Sequence, residues 1–177
     1  MDHFCNIAGA RSLILCSPLQ SLKEEHQPLR EQMEKLYRLS HSIEEEKGIG
    51  QIKERILYLR QGVVKFVSQL DPHSEKEEGV LFPMVARYIG KDTGPILVME
   101  YEHDQAKAHL RQFLEETTNL QESLTRDELV TITKRYNDAF KILQGHFLKE
   151  EEILFPLAQR LLSDEEKLSL EERIGRL

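Results

Sequence analysis

The sequence predicts an all-α protein: an up-down-up-down four-helix bundle over residues 17–162, with a short N-terminal extension over 1–16 and a short C-terminal helix over 163–177. Two observations predict this fold. Apolar residues recur in alternating steps of three and four along four segments, which is the spacing of a helix face against a core. Short breaks separate these segments, and short connections make consecutive helices antiparallel neighbours.

The first two predicted helices each carry one continuous core-facing stripe. The stripe of the first helix consists of Leu19, Leu22, His26, Leu29, Met33, Leu36, Ser40 and Ile43. The stripe of the second helix consists of Ile52, Ile56, Leu59, Val63, Phe66, Leu70, His73, Glu77, Val80 and Met84. Asp71 and Pro72 lie within the second stripe, yet its phase is the same on both sides of them. A proline removes one backbone hydrogen bond, so we predict a kinked but continuous helix there.

The third and fourth predicted helices follow the same pattern. The third stripe consists of Ile96, Met99, His103, Ala106, Leu110, Phe113, Thr117 and Leu120. The fourth stripe consists of Leu129, Ile132, Tyr136, Ala139, Leu143, His146, Glu150, Ile153 and Leu157. Glycine and polar residues break the pattern near 47–51, at 90–95 and around 119–128. Ser163 and Glu166 are typical of a capping box that opens the short C-terminal helix.

Composition and charge argue against some classes of function. The 177 residues include 24 basic and 31 acidic side chains, which gives a net charge of −7 with neutral histidines. A modestly acidic chain without a basic cluster does not favour binding to nucleic acid or to an anionic membrane. The N-terminus does not read as a secretory signal, and no apolar run approaches the ~20 residues that span a bilayer. With only Cys5 and Cys16, we expect a cytoplasmic protein with free, reduced thiols, and a redox role for the pair stays open.

One motif occurs twice in the chain. HSEKEEGVLFP begins at His73 and HFLKEEEILFP begins at His146, and both follow the pattern H-x-x-x-E-E-x-x-L-F-P. Residues four apart lie on the same face of a helix. His73 is therefore expected beside Glu77, and His146 beside Glu150, on the core-facing stripes.

Six polar residues interrupt the apolar stripes at about the same level of the bundle. They are His26, His73, Glu77, His103, His146 and Glu150. An ionised carboxylate that is buried without a partner is strongly destabilising. No lysine or arginine occupies a nearby stripe position, so bound cations are the expected source of compensating charge. The alternative is a layer of histidines that hydrogen-bond to other polar groups in the core.

Four glutamates next to these residues receive different interpretations. Glu78 and Glu151 follow the stripe glutamates and are rotated from them by about 100°, so we expect their side chains to point away from the site. Glu25 and Glu102 directly precede two of the histidines. We expect these two on the surface, with hydrogen bonds to neighbouring imidazoles as the alternative.

The number of donor atoms favours two metal ions. Four imidazoles provide two nitrogens for each ion, and two glutamates are able to bridge both ions. A bridging oxide or hydroxide adds a fifth donor, which leaves one position of an octahedral ion open for a small ligand. Nitrogen and carboxylate donors suit iron, with manganese or zinc as alternatives. A ferritin-like site would need Glu-x-x-His on two helices, and only Glu100 with His103 fits that motif.

The doubled motif, together with EEH ending at His26 and YEH ending at His103, resembles the haemerythrin-like, HHE cation-binding family over about residues 17–162. The resemblance implies a non-haem di-iron centre of two iron ions with an oxo or hydroxo bridge. The six stripe residues would be its ligands, with Glu77 and Glu150 as the bridging carboxylates. Oxygen-carrying haemerythrins have a further histidine where this chain has Lys107, and their final carboxylate is an aspartate.

The set of four histidines and two glutamates is most similar to the di-iron domain of the iron–sulfur cluster repair (RIC) proteins, which respond to nitric oxide and oxidative stress. Those proteins usually carry a separate N-terminal domain with a cysteine pair. Residues 1–16 are too short for that domain, and Cys5 and Cys16 are not adjacent. The resemblance therefore does not carry the repair activity over to this chain.

These observations lead to one main functional hypothesis. We expect a metal-binding protein that senses or handles a small diatomic ligand, O2 or NO, or handles iron, in oxidative or nitrosative stress. Reversible oxygen storage or sensing is one alternative, and a structural bundle stapled by its metal is another. An enzymatic role stays open because di-iron sites also reduce nitric oxide or peroxide. We expect neither a nucleic acid nor a membrane as partner, and the sequence does not indicate an oligomeric state.

Overall fold

The structure is a computed structural model that describes residues 13–121 and 123–177. Within these residues every regular element is helical, which confirms the predicted all-α class. Residues 1–12 of the expected extension, Cys5 among them, lie outside the described residues. The described helices include none that is both long enough and apolar enough to cross a membrane. The proposed division of the chain at residues 16 and 162 stays a prediction.

The described helices form five continuous segments, because two short π-helical turns are built into longer helices. In chain order the elements are α1 (Ser17–Glu45), α2 (Ile49–Lys76), the π-turn π1 (Glu77–Leu81), α3 (Phe82–Ile89), α4 (Pro95–Glu116), α5 (Arg126–Lys149), the π-turn π2 (Glu150–Leu154), α6 (Phe155–Leu161) and α7 (Asp164–Ile174). The helix α2 runs through Pro72 without a break, as predicted. The predicted capping box at the start of α7 is present, with Ser163 and Glu166 bonded to each other's backbone N–H groups.

The four long helices pack as a bundle. The helix α1 contacts α2 and α5, and α4 contacts the same two helices, while α2 and α5 also contact each other across the bundle. The short helix α7 packs against α1 and π1 at one end of the bundle. Gly90 and Gly94 bracket the connection between α3 and α4 with φ angles of 78° and 75°, which favour glycine because it lacks a Cβ atom.

The core consists of two apolar clusters. One cluster fills the length of the bundle and includes Leu29, Leu70, Ala106 and Leu143, each about one helical turn from a histidine of the predicted site. The other lies at the end that carries the π-turns and is formed by Leu19, Leu22, Val80, Leu81, Phe82, Met84, Val85, Ile96, Met99, Leu154, Phe155, Ala158, Leu162 and Leu170. The six predicted polar residues lie between the two clusters.

The predicted core-facing stripes are correct in the first two helices, the last stripe residues of the third and fourth, Leu120 and Leu157, are only partly buried, and Ile153 of the fourth is wrong. Ile153, which the stripe places in the core, is 50% exposed, and Leu154, Phe155 and Ala158 are buried instead. The reason is π2, since a π-turn holds more residues than an α-turn and changes the direction of every side chain after it. Val80, the counterpart of Ile153 in the first copy of the motif, stays buried at π1, against which α7 packs.

Candidate metal centre

The fold brings all six predicted residues together. His26 comes from α1, His73 from α2, His103 from α4 and His146 from α5, while the two π-turns contribute Glu77 and Glu150. Each of the six residues is at most 3% exposed. Their donor atoms form two groups, His26–His73–Glu77–Glu150 and Glu77–His103–His146–Glu150, and within each group the atoms lie within 4.8 Å of one another. The two groups share both glutamates.

Each glutamate directs one oxygen to each group. Glu150 Oε2 lies 3.3 Å from His26 Nε2, and its Oε1 lies 3.1 Å from His146 Nε2. Glu77 Oε1 lies 3.4 Å from His73 Nε2, and its Oε2 lies 3.6 Å from His103 Nε2. Both carboxylates therefore span the two groups, as bridging ligands between two ions would.

Several polar atoms in this cluster have no hydrogen-bond partner. Both oxygens of Glu77, both oxygens of Glu150 and Nε2 of His146 are buried and unpaired. In addition, Nε2 of His26 lies 3.1 Å from Nε2 of His73, so either one nitrogen donates a hydrogen bond to the other or both lone pairs face a cation. Unpaired polar atoms at this depth destabilise a fold by about 1–3 kcal/mol each. Four imidazole nitrogens and four carboxylate oxygens that converge in this way fit a metal site.

The electrostatics of the two glutamates differ. Burial raises the pKa of Glu77 well above its ordinary value, and the neighbouring Glu150 carboxyl raises it further. Burial also acts to raise the pKa of Glu150, but contacts with His146 and His26 outweigh it and hold that pKa below its ordinary value. Burial and mutual repulsion thus disfavour two negative charges at this point, and a bound cation would offset them.

The π-turns explain how the glutamates reach their positions. In each turn a backbone N–H bonds to the carbonyl five residues earlier, from Phe82 to Glu77 and from Phe155 to Glu150. A proline follows directly in both copies of the motif, and proline inside an α-helix clashes with the carbonyl four residues before it. The wider turn relieves this clash, so in both copies the π-turn accommodates the proline of the repeated L-F-P.

A second set of carboxylates surrounds the imidazoles. The Nδ1 atoms of His26, His73, His103 and His146 lie 2.8, 2.9, 2.5 and 3.1 Å from carboxylate oxygens of Glu151, Glu25, Glu78 and Glu102, respectively. The hydrogen bond with His103 and the contact with Lys107 lower the pKa of Glu78 to about 2, against the opposing effect of partial burial. A carboxylate accepts, so each Nδ1 donates, and in the neutral ring Nε2 then keeps its lone pair toward the centre.

The expectations drawn from the sequence are only partly correct for these four glutamates. Glu25 and Glu102 bond to imidazoles, so the alternative interpretation is correct and the surface interpretation is wrong. Glu78 and Glu151 do point away from the central cluster, but each ends on a histidine of another helix rather than in solvent. The signal available in the sequence was the second glutamate of the repeated E-E pair, which occurs in both copies.

The fold and the cluster together define a helical bundle with a buried histidine and glutamate site that can hold metal. The family model described as the haemerythrin HHE cation-binding domain matches residues 17–158, and the chain belongs to this family. This match confirms the family resemblance drawn from the doubled motif.

Curated relatives point to one kind of protein within the family. The iron–sulfur cluster repair protein YtfE of Yersinia pseudotuberculosis serotype IB (strain PB1/+) is 33% identical over 141 residues, which cover 76% of this chain and 61% of that protein. YtfE of Yersinia pestis (strain Pestoides F) is 32% identical over the same shares of the two chains. The chain therefore spans 61% of the length of these relatives. Their names agree with the predicted likeness to repair proteins.

Proposed function

We propose that this chain holds a non-haem di-iron centre and that the centre senses or handles a small diatomic ligand, O2 or NO, in oxidative or nitrosative stress. His26 and His73 would hold one ion, and His103 and His146 the other, with Glu77 and Glu150 bridging the two. The observation that carries the proposal is the pairing of each glutamate's two oxygens with histidines of the two different groups.

The donor set supports iron. Imidazole nitrogens and carboxylate oxygens suit iron, and no thiolate among the described residues takes part in the cluster. Two iron ions with an oxo or hydroxo bridge would supply binding of a diatomic ligand and transfer of electrons. The protein supplies the geometry, since the Nδ1–carboxylate bonds keep the four Nε2 lone pairs directed inward.

The surroundings of the site support a small, uncharged ligand. The His26 ring stacks on Phe147 with 4.3 Å between ring centroids, and Phe155 lies on it at 5.6 Å. The ring centroids of Phe82 and His103 lie 5.5 Å apart. Apolar clusters close both sides along the bundle, so a diatomic molecule fits the surroundings better than a charged or bulky substrate.

The names of the relatives support a role in stress. YtfE proteins are named for iron–sulfur cluster repair, and this chain shares their metal-binding bundle over 141 aligned residues. We infer a related task in which the bundle handles iron or a diatomic molecule, and we place it in the cytoplasm. Repair of clusters by this chain itself is not part of the proposal.

Anaerobic loading with iron(II), followed by exposure to air or nitric oxide, tests the proposal. We expect two iron ions per chain and visible bands of an oxo-bridged ferric pair, and we expect Glu77→Gln to lose at least one ion. Glu100→Gln is the matched control because Glu100 is exposed and lies outside the cluster. Retention of zinc alone, without ferric bands, would contradict the di-iron assignment.

Cycling the loaded protein between oxygen and argon separates the proposed function from the two alternatives. Repeated reversible spectra would indicate oxygen storage instead of the proposed role. A centre whose spectrum responds to neither oxygen nor nitric oxide, but whose loss lowers thermal stability, would indicate a structural metal. We expect a response to at least one of the two ligands that is not a simple reversible cycle.

A further inference from the structure

Each of the four carboxylates that accept a hydrogen bond from an imidazole Nδ1 also forms an ion pair with an arginine or lysine side chain. Arg30 Nη1 lies 2.7 Å from Glu151, Lys76 Nζ lies 2.6 Å from Glu25, and Lys107 Nζ lies 2.5 Å from Glu78. Lys149 Nζ contacts Glu102. The result is four triads of histidine, glutamate and cation: His26–Glu151–Arg30, His73–Glu25–Lys76, His103–Glu78–Lys107 and His146–Glu102–Lys149.

The triads have a common construction. The cation lies on the same helix as its histidine, four residues later in α1 and α4 and three residues later in α2 and α5. The carboxylate comes from a neighbouring helical segment. Glu25 links α1 to α2, Glu78 links π1 to α4, Glu102 links α4 to α5, and Glu151 links π2 back to α1. The four triads therefore form a closed ring around the bundle at the level of the site.

We propose that Arg30, Lys76, Lys107 and Lys149 are positioning residues that hold the four carboxylates on the imidazole Nδ1 atoms and thereby set the metal affinity of the site. The inference rests on the proposed metal centre and concerns residues outside its ligands. A carboxylate on Nδ1 selects the tautomer whose Nε2 has a lone pair, which is the form that binds metal. The cation fixes the carboxylate in place and offsets its charge.

Charge in the ring supports this role. Four carboxylates and four cations give the ring no net charge, so the two central glutamates carry the charge that a metal would neutralise. If one cation is removed, its carboxylate loses a partner on one side and is free to move off the imidazole. Removal therefore acts on the orientation of one histidine, although the cation contacts no ligand of the proposed metal.

A purely structural role would give a different outcome. The side chains of Arg30, Lys76, Lys107 and Lys149 are between 20% and 40% exposed. Ion pairs at such partly exposed positions contribute little to stability. A structural role therefore predicts a small change in stability and an unchanged site. The proposal predicts a changed histidine and weaker metal binding, with stability of the metal-free protein nearly unchanged.

The test uses the full chain with Lys107→Gln, Glu78→Gln and the control Lys141→Gln. Lys141 is an exposed residue of α5 that lies outside the triads. Imidazole 15N NMR of the metal-free protein reports which nitrogen of each histidine carries the proton. Competition with a chelator reports the affinity for zinc, which serves as a probe without redox chemistry.

We expect His103 to carry its proton on Nδ1 in the parent protein. Glu78→Gln should weaken this preference and lower the zinc affinity about 10- to 100-fold. Lys107→Gln should shift the His103 resonances and lower the affinity about 10-fold, whereas Lys141→Gln should stay within twofold of the parent. Parent-like His103 resonances and zinc affinity in Lys107→Gln would overturn the proposal, as would a parent His103 that carries its proton on Nε2.

These readouts separate the proposal from the proposed function. Neither iron nor a diatomic ligand enters the NMR or zinc measurements. If the expected changes in the His103 resonances and zinc affinity occur, but iron loading produces no bands of a ferric pair, the proposal on the triads is supported and the di-iron function is contradicted. If iron behaves as proposed but Lys107→Gln is indistinguishable from Lys141→Gln, the function stands and the ring proposal fails.

Discussion

Two buried glutamates dominate the energetics at the scale of single residues. Glu77 and Glu150 are fully buried, and none of their oxygens has a hydrogen-bond partner. A core of this kind is unfavourable without a compensating cation, because desolvation penalises each ionised carboxylate. Metal binding, rather than the stability of the bundle, would therefore account for these glutamates.

Replacement of Glu77 tests this explanation in the metal-free protein. Burial raises the pKa of Glu77 above its ordinary value of 4.5, so the folded state holds its proton more tightly than the unfolded state. The free energy of unfolding should then fall as pH rises above about 4.5. Glu77→Gln should remove up to about 1.4 kcal/mol per pH unit from this slope, measured by urea unfolding between pH 5 and 8. Glu100→Gln should retain the parent slope, and equal slopes in the parent and Glu77→Gln would contradict the account.

The six central residues could be predicted from the sequence, but their surroundings could not. Histidines and glutamates on apolar stripes are visible because helix periodicity places them in the core. Glu78 and Glu151 were expected to leave the site because the prediction considered one helix at a time. Their partners, His103 and His26, lie on other helices, and those contacts arise only when the bundle is assembled.

The π-turns are the decisive feature at the scale of secondary structure. They carry Glu77 and Glu150 and, because a π-turn holds more residues than an α-turn, they change the phase of the side chains that follow. The stripe pattern runs across both turns with α-helical spacing, so nothing in the pattern directly indicates an extra residue. The prolines that follow the turns disfavour an uninterrupted α-helix, but a π-turn is one of several ways to accommodate them.

Two neighbouring alanine substitutions test the altered phase of the side chains within π2. Leu154 is fully buried and Ile153 is 50% exposed, although an uninterrupted α-helix would bury Ile153. Leu154→Ala should lower the free energy of unfolding by about 2–5 kcal/mol, because it leaves a cavity. Ile153→Ala should change it by about 0.5 kcal/mol or less, as expected for a surface position. The reverse order of the two effects in urea unfolding would contradict the π-turn.

At the scale of the whole molecule, the site lies where all four long helices meet, because four helices and two π-turns each contribute one ligand candidate. The all-α bundle and its helix order could be predicted from four stripes and three short breaks. The position of α7 could not, since its packing on α1 and π1 depends on surfaces that exist only in the folded bundle. A metal bound at this level would connect all four long helices.

Metal binding should therefore stabilise the entire fold. A ligand that binds only the folded state adds about 2.7 kcal/mol at a concentration 100 times its dissociation constant. We expect iron(II) under argon to raise the thermal midpoint of the parent protein in a concentration-dependent way. His26→Ala should lose most of this rise, whereas His41→Ala should keep it because His41 lies on α1 outside the cluster. Equal rises in both variants would place the metal elsewhere.

The most direct test of the central claim is anomalous scattering at the iron absorption edge from crystals of the iron-loaded protein. The account predicts two separate peaks inside the bundle. One should lie among His26, His73 and the two glutamates, and the other among His103, His146 and the same glutamates. An absence of peaks there, or imidazoles and carboxyls that turn away from one another, would contradict it.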